Sequence, residues 1–511
     1  MKLIISLLVY NQLEVTLRCI DSILKNTVEQ DFLLIISDNA SNKYVGKRLK
    51  QISHKKVRYI RNSENIGFIL AHNNIFKKYP SDFFCVLNND LVIKTYGWDA
   101  KFIQVLEEDK NIAQVGNQQE FGYIGSNGVG QPRKGKPLDY ISGSSFIVRS
   151  KYINQMGSGL FEENYMHFAF CEDADLSLRL RSNGYKIAEC TDVEIDHLHN
   201  WSFKHEKVDV DFKQLEKKNN AFLLDRWSNY FKYRIFKPIR ILVDRQGALG
   251  DALCTEPIIK ALRKKYPLCL LHVNTVCPTA FTCNRYVDHC ANNLNKKDYD
   301  IVIDLNLAYE KNPTMHIVDA YAKEAGVILD QSNKIPVYYG LTCFENKYEN
   351  SDYITVCSEG SWLSRTWNLD RWKSFISRLS KTNKIVEVGH DKRNYLGIGE
   401  NLIGKMSLQQ TVGVIAKAKL FVGFDGGLMH FSQAVGTPVF IIFGCTNPLY
   451  RIHDWNKATV VNMTEDELEC AGCHHKLPAP RCFTECTKDK IYCLDGISLE
   501  RVINTFNRRK V

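Results

Sequence analysis

At 511 residues the chain is too long for one ordinary core, and two to four domains of roughly 100–200 residues each are expected. An apolar share of 44% and a charged share of 24% exclude a disordered or fibrous chain. The net charge of +10 suits anionic partners such as nucleotide diphosphates, acidic lipid surfaces or nucleic acid, and equally a merely soluble surface.

The opening run Leu3–Val9 has the apolar core of a signal peptide but no small-residue cleavage site, and Asn11 and Gln12 follow at once. It reads as a buried strand. Thr16–Lys25 is helical, with Leu17, Ile20, Ile23 and Leu24 on one face. Strands follow at Leu33–Ser37, ending at Asp38, at Val57–Ile60, and at Phe83–Leu87, ending in Asn88-Asn89-Asp90. Such alternation predicts a mostly parallel sheet covered by helices, with polar residues collected where open α/β sheets bind ligands. Asp211–Lys237 is charged, aromatic and helical in pattern. A second cycle opens with the strand Ile239–Val243, a tight loop Gly247–Asp251 and a helix Ala252–Lys265 stopped by Pro267. Further strands are expected at Ile301–Asp304, Tyr353–Cys357, Ile385–Val388, Leu420–Gly423 and Val439–Phe443, with an internal boundary near Tyr339–Tyr348. No apolar run reaches the roughly 18 residues that cross a bilayer, and no internal repeat stands out.

Four features of the first half carry chemistry. Asp38, after a strand, accepts a hydrogen bond from a nucleobase N–H or caps a turn. In Asn65-Ile66-Gly67, with Asn73 beyond it, glycine allows close approach to a ligand or simply makes a turn. Asn88-Asn89-Asp90 suits a hard divalent cation, Mg²⁺ or Mn²⁺, shared with a substrate diphosphate, or forms an Asx turn. Glu172, Asp173 and Asp175 open a helix; that is more carboxylate than a helix dipole requires, and one is a candidate general base. Downstream, His197 and His199 place an imidazole within reach of the metal.

In this order and spacing, residues 1–205 resemble family-2 glycosyltransferases of the GT-A fold, especially their rhamnosyltransferase-like branch. The likeness rests on Tyr10-Asn11, Asp38-Asn39-Ala40-Ser41, Asn65-Ile66-Gly67, Leu87–Asp90, Ser142-Gly143-Ser144 and the stretch Gly157–Gly184 around Glu172-Asp173. It implies that Asp38, Asn65, Gly67 and Asn89 hold the donor, that Asp90 and His197 hold the metal, and that Asp173 is the base with Glu172 beside it. It also implies inversion of the anomeric centre. Asn42 stands where the family has Asp, and Leu70 where a small residue is common.

In the second half, Gly247–Asp251 joins a strand to a helix without dinucleotide-fingerprint spacing; Asp251 either caps the helix or serves chemistry. In Asp425-Gly426-Gly427, two glycines expose backbone N–H groups that suit a diphosphate, with His430 one turn further on. Residues 238–508 resemble family-9, heptosyltransferase-like glycosyltransferases of the GT-B fold. The resemblance is carried by Gly247–Asp251, Ser364–Trp367 with Arg371-Trp372, and Asp425–Pro448, including Gly436-Thr437-Pro438 and Phe443-Gly444. It implies Asp251 as base and Arg365, Asp425, Gly426, Gly427 and His430 as the donor-diphosphate site. Arg365 replaces the usual Lys, and Gly426 the usual Thr.

There are 17 cysteines, many inside apolar patterns (Cys19, Cys85, Cys254, Cys357), which argues for a reducing compartment. The densest group is Cys470, Cys473, Cys482, Cys486 and Cys493. Its first pair has zinc-knuckle spacing, so structural Zn²⁺ on Cys470, Cys473, Cys482 and Cys486, disulfides, or reduced packing remain open.

The expected architecture is α/β: a GT-A nucleotide-diphospho-sugar transferase fold at 1–230, then a GT-B fold of two Rossmann-like subdomains, acceptor-binding at 237–343 and donor-binding at 344–511. The expected function is a bifunctional inverting glycosyltransferase of lipopolysaccharide or surface-polysaccharide synthesis. It would use nucleotide-sugar donors and a glycan or lipid-linked glycan acceptor. The alternative is one active module fused to a degenerate sugar- or nucleotide-binding one. A cytoplasmic location, with peripheral docking at the inner membrane face and no nucleic-acid partner, completes the expectation.

Overall fold

The computed structural model describes the chain apart from residues 118–120, 123, 126–127, 130–138, 158, 164–165, 167, 198–209, 344–351, 359, 361, 391–394, 477–485, 487 and 510–511. His199 and Cys482 therefore lie outside the described residues. The chain divides into two compact units, Met1–Lys237 with Tyr266–Leu268, and Pro238–Lys265 with Cys269–Val511.

The first unit is built on β1 (Leu3–Val9), β2 (Phe32–Asp38), β3 (Val57–Arg61), β4 (Phe83–Leu87), β5 (Leu91–Ile93) and β6 (Ile112–Asn117). Short pieces β7 (Phe121–Gly122), β8 (Ile124–Gly125), β9 (Gly128–Val129) and β10 (Tyr140–Ile141) follow, then β11 (Ser145–Arg149), β12 (Lys186–Cys190) and β13 (Ile195–His197). Seven of them form one sheet in the order β12-β6-β11-β4-β1-β2-β3. Only β11 runs antiparallel to its neighbours β4 and β6. Ile4, Ile35 and Phe84 face one core, whereas Leu3, Ile5, Leu34 and Cys85 face the other. Burial on both faces is why these strands read as unbroken apolar runs. Strand order reverses between β1 and β4, and Asn88–Asp90 leave β4 at that crevice.

The second unit holds two all-parallel sheets. β14 (Ile239–Asp244), β15 (Cys269–Asn274), β16 (His289–Ala291) and β17 (Ile301–Asp304) are ordered β16-β15-β14-β17. β18 (Tyr353–Val356), β19 (Lys384–Glu387), β20 (Glu400–Asn401), β21 (Leu420–Phe424), β22 (Val439–Ile442) and β23 (Ala458–Val461) are ordered β20-β19-β18-β21-β22-β23. The second order is the 3-2-1-4-5-6 arrangement of a Rossmann sheet, and the first is its 3-2-1-4 part. In each, the switch point lies between the first and fourth strands. Asp251 follows β14 there, and Asp425 follows β21.

The expected helix Ala252–Lys265 is two pieces, Leu249–Leu253 and Glu256–Lys265. Thr255 Oγ1 donates to the Ala252 carbonyl at 2.8 Å, and Pro257, which has no N–H to give, sits in the first turn of the second piece. The helix therefore starts before Gly250 and Asp251 rather than after them. Among the described residues, no helix is long and apolar enough to cross a membrane.

Candidate active sites

In the first unit, Asp38 ends β2 fully buried. Its Oδ1 accepts from the Ser41 N–H at 2.8 Å, and its Oδ2 from the Tyr59 hydroxyl at 2.6 Å and from the Arg61 guanidinium. The Asp38 carboxylate is thus closed around by its own sheet. Asn39 and Asn65 knit the next loop: the Asn39 amide donates to Asn65 Oδ1 at 2.5 Å, and the Ile66 N–H donates to Asn39 Oδ1 at 3.1 Å. Gly67 holds φ +78°, and a Cβ there would fall 2.8 Å from Phe168, so this turn requires glycine.

Asn89 does not face outward. It is buried, and its amide donates to Thr16 Oγ1 at 2.9 Å, tying the loop after β4 to the helix Leu13–Asn26. Asp90 turns elsewhere. Because β13 pairs with β5 and sets His197 opposite Leu91, the imidazole Nε2 comes to 3.4 Å from Asp90 Oδ1. One carboxylate and one imidazole side by side leave most positions of an octahedral Mn²⁺ or Mg²⁺ for waters and phosphate oxygens, so these residues fit such an ion.

The helix Glu172–Ser182 is aimed by its third carboxylate, not its first. Asp175, fully buried, is 2.9 Å from Arg179 and 3.0 Å from Arg226, and accepts from the Trp227 indole at 3.0 Å. Arg226 also reaches Glu162 at 3.0 Å. Asp175 is therefore structural. The Asp173 carboxylate accepts from the Gly143 N–H at 2.8 Å and the Ala174 N–H at 2.7 Å, which fixes its orientation. Glu172 lies buried beside it. Burial first, then the Asp173 charge, push its carboxyl up to about 8.

In the second unit, Asp251 is the third residue of Leu249–Leu253 and accepts from the Ala248 N–H at 3.1 Å. Its Oδ2 is 3.2 Å from Arg245, which also lies 3.8 Å from Glu310. Opposite, Asp425 is buried and accepts from Thr446 Oγ1 at 2.6 Å. Arg365 lies 3.6 Å from its Oδ2, with the guanidinium 3.7 Å over the Trp362 ring. Burial would raise the Asp425 carboxyl, but the charges of Arg365, Arg451 and His430 outweigh it and hold it well below the usual range. Gly426 and Gly427 lead into the helix Gly427–Ala434, which carries the buried His430. A Cβ on Gly250 would sit 2.8 Å from the His430 ring and 3.2 Å from Gly427 Cα. The two glycines let the helix of Asp251 and the helix of His430 touch backbone to backbone. The fields of Asp251 and Asp425 both reach His430 and Arg451, so the candidate base and donor side form one site.

Several site residues had no signal in the sequence. Arg245 follows β14 directly, and Glu310 lies beyond β17; they flank Asp251 only because the two strands are neighbours. Arg451 is buried, its guanidinium 4.5 Å over the Tyr309 ring, and no carboxylate is paired to it among the described residues. Its Nε is buried without a hydrogen-bond partner. A buried cation in that state is suited to an anionic ligand oxygen.

One of the four cysteines expected to hold zinc, Cys482, lies outside the described residues. Among the described residues, the group able to hold a metal is Cys254, His430 and His453, not four cysteines. Cys486 Sγ is turned to the Lys490 carbonyl at 3.5 Å.

A mixed GT-A-like sheet, with Asp90 beside His197 and Glu172 beside Asp173, followed by two all-parallel Rossmann-like sheets, is the class of fold found in glycosyltransferases. Residues 5–157 match the model of glycosyl transferase family 2, and residues 321–480 match the model of glycosyltransferase family 9 (heptosyltransferase). The family 2 match is to the family as a whole and names no sugar. Lipooligosaccharide heptosyltransferase 2 of Haemophilus influenzae is 40% identical over 68 residues, 13% of this chain; the match spans a fifth (20%) of that relative's length. A family 9 glycosyl transferase from Veillonella parvula superposes at TM-score 0.43 and 17% identity, covering 53% of this chain and 96% of that one. The structure of GalNAc-T7 with UDP, GalNAc and Mn²⁺ superposes at TM-score 0.38 and 13% identity, covering 52% of each chain. The domain assignments rest on the family matches and the sheet orders.

Proposed function

We propose that the chain is a bifunctional, inverting glycosyltransferase that passes sugars from two nucleotide-sugar donors to a growing surface glycan of the lipopolysaccharide type. The carrying observation is the convergence of Asp251, from the β14 side, with Asp425, His430 and Arg451, from the β21 side, in one site of the second unit. There Asp251 takes the proton of an acceptor hydroxyl. Arg365, Arg451, His430 and the Gly426–Gly427 backbone hold the leaving diphosphate, as a helix start and fixed cations do elsewhere. The heptosyltransferase description of its family makes ADP-heptose the first donor to test.

In the first unit, Asp173 is the base and Glu172 its protonated neighbour. Asp90 and His197 hold Mg²⁺ or Mn²⁺, which neutralises charge on the leaving diphosphate. Asn65 and Gly67 shape the donor side, and Asn89 acts through the loop it anchors. The closed environment of Asp38 favours a second reading, in which the first unit binds a nucleotide or sugar without turning it over.

Nucleotide release from ADP-, UDP-, GDP- and dTDP-sugars by the intact protein tests both readings. Two activities, one lost in Asp173→Asn and the other in Asp251→Asn, support bifunctionality. A single activity that survives Asp173→Asn and is lost in Asp251→Asn selects the second reading. No release with any donor and acceptor pair rejects catalysis. The acceptor is proposed to be lipid-linked and met at the cytoplasmic membrane face, where the net charge of +10 aids docking.

A further inference from the structure

Three side chains from separate elements of the second unit converge beside the diphosphate loop. Cys254 ends the helix Leu249–Leu253, His430 lies on Gly427–Ala434, and His453 follows the turn Pro448–Tyr450. Cys254 Sγ is 3.6 Å from His430 Nδ1 and 3.6 Å from His453 Nε2, and the two nitrogens are 2.9 Å apart. A tetrahedral zinc with Zn–S about 2.3 Å and Zn–N about 2.0–2.1 Å sets sulfur and nitrogen ligands roughly 3.5 Å apart, and two nitrogens roughly 3.3 Å apart. Both sulfur edges of the observed triangle match, and the nitrogen edge corresponds to an angle near 90° rather than tetrahedral.

The three ligands are held firmly. Gln433 Oε1 accepts from the backbone N–H groups of His453 and Asp454 at 2.8 and 3.3 Å, which fixes the His453 turn. His430 is seated against Gly250, where any side chain would displace its ring. The facing charges are mixed: Asp251 and Asp425 favour a cation near His430, while Arg451 and a charged His316 oppose it. Cys254 and His430 are buried, and His453 is half-buried.

We propose that Cys254, His430 and His453 form a three-ligand site for a borderline divalent cation of the Zn²⁺ class, with a water or an anionic oxygen in the fourth position. A thiolate and two imidazoles select such an ion over Mg²⁺ or Mn²⁺, so this site is chemically distinct from the hard-cation position at Asp90. On binding, the Cys254 thiol loses its proton to solvent, the S–H bond is replaced by an S–metal bond, and no oxidation occurs. The inference stands on the geometry and not on the transferase reading.

The test uses the full-length protein stripped by chelator and titrated with Co²⁺, then Zn²⁺. One equivalent of Co²⁺ with a thiolate-to-cobalt charge-transfer band and tetrahedral d–d bands, displaced by Zn²⁺, is expected. The charge-transfer band should persist in Cys470→Ser/Cys473→Ser and vanish in Cys254→Ser. Cys254→His, which restores a third ligand, should bind Co²⁺ without that band. His453→Gln should weaken binding beyond the roughly 10–100-fold cost of losing an outer-shell partner. Absence of the band in the wild type, or its survival in Cys254→Ser or Cys254→His, overturns the proposal.

Discussion

His197 Nε2 stands 3.4 Å from Asp90 Oδ1 because a three-residue ribbon, β13 on β5, carries the histidine back across more than a hundred residues of chain. Neither residue alone distinguishes a metal site from a turn. Their adjacency assigns a task to both. Asp90→Asn is expected to lower Mn²⁺ affinity in the presence of a nucleoside diphosphate by about 10–100-fold, and His197→Gln by less. Calorimetric titration of Mn²⁺ into each variant measures this; unchanged affinity in Asp90→Asn would remove the site.

Glu172 and Asp173 are expected to separate in their variants. With Glu172 carrying a proton at neutral pH, Glu172→Gln imitates its resident form and should keep most turnover, whereas Asp173→Asn should lose it. The stability sign follows. The folded chain holds the Glu172 proton more tightly than the unfolded chain, so its contribution is full below about pH 4 and is lost as pH climbs through about 8. Glu172→Gln should therefore melt near the wild-type temperature at pH 4 and above it at pH 9. A variant that melts lower at pH 9 contradicts the assignment.

Asp175→Asn removes the charge that Arg179 and Arg226 share, both fully buried. With only Glu162 left to balance the two buried guanidinium groups, the loss should cost about 3 kcal/mol. Denaturant unfolding followed by the fluorescence of Trp227, whose indole donates to Asp175, reads this directly. A loss under about 1 kcal/mol would show that the network is not what holds the helix.

Arg451→Met keeps much of the side-chain bulk and removes the charge. If the guanidinium grips a donor phosphate oxygen, the cost is about 2 kcal/mol, or roughly 30-fold in kcat/KM for the second activity. Arg451→Lys should recover only part of it, since the stack on Tyr309 and the planar fork are both lost. Equal kcat/KM in Arg451→Met and wild type would exclude the contact.

Strands β1 to β4, β14, β17 to β19, β21 and β22 were legible as short apolar runs, and so were the polar residues at their ends, whereas β6, β11, β12, β15 and β23 were not. What escaped is what only strand order creates. No strand was expected at β11, whose apolar centre is only the three residues Phe146-Ile147-Val148, and nothing local reveals that it enters antiparallel between β4 and β6. The break at Thr255 was hidden because Pro257 sits where a helix tolerates it. Asn89 looked like a ligand by its place after β4, yet Thr16 claims its amide. Asp38 looked available until Tyr59 and Arg61, one strand over, were brought to it by the β2–β3 register. Asp175 could not be told from Asp173 in sequence; its arginine partner on a helix some fifty residues away decides between them.

At Gly250 and Gly427 the missing side chains act as a gauge of length. The helix of the proposed base Asp251 meets the helix that follows the proposed diphosphate turn at Gly426 through bare main chain and an imidazole ring, with no methyl's thickness to spare. An alanine at Gly250 would not alter a charge or delete a hydrogen bond. It would push apart the two helices that carry the proposed base and the proposed donor turn, and because near-attack geometry tolerates little displacement, about 1 Å of spacing is expected to cost roughly 100-fold in rate. The second unit therefore stores its reaction distance in an absence of atoms.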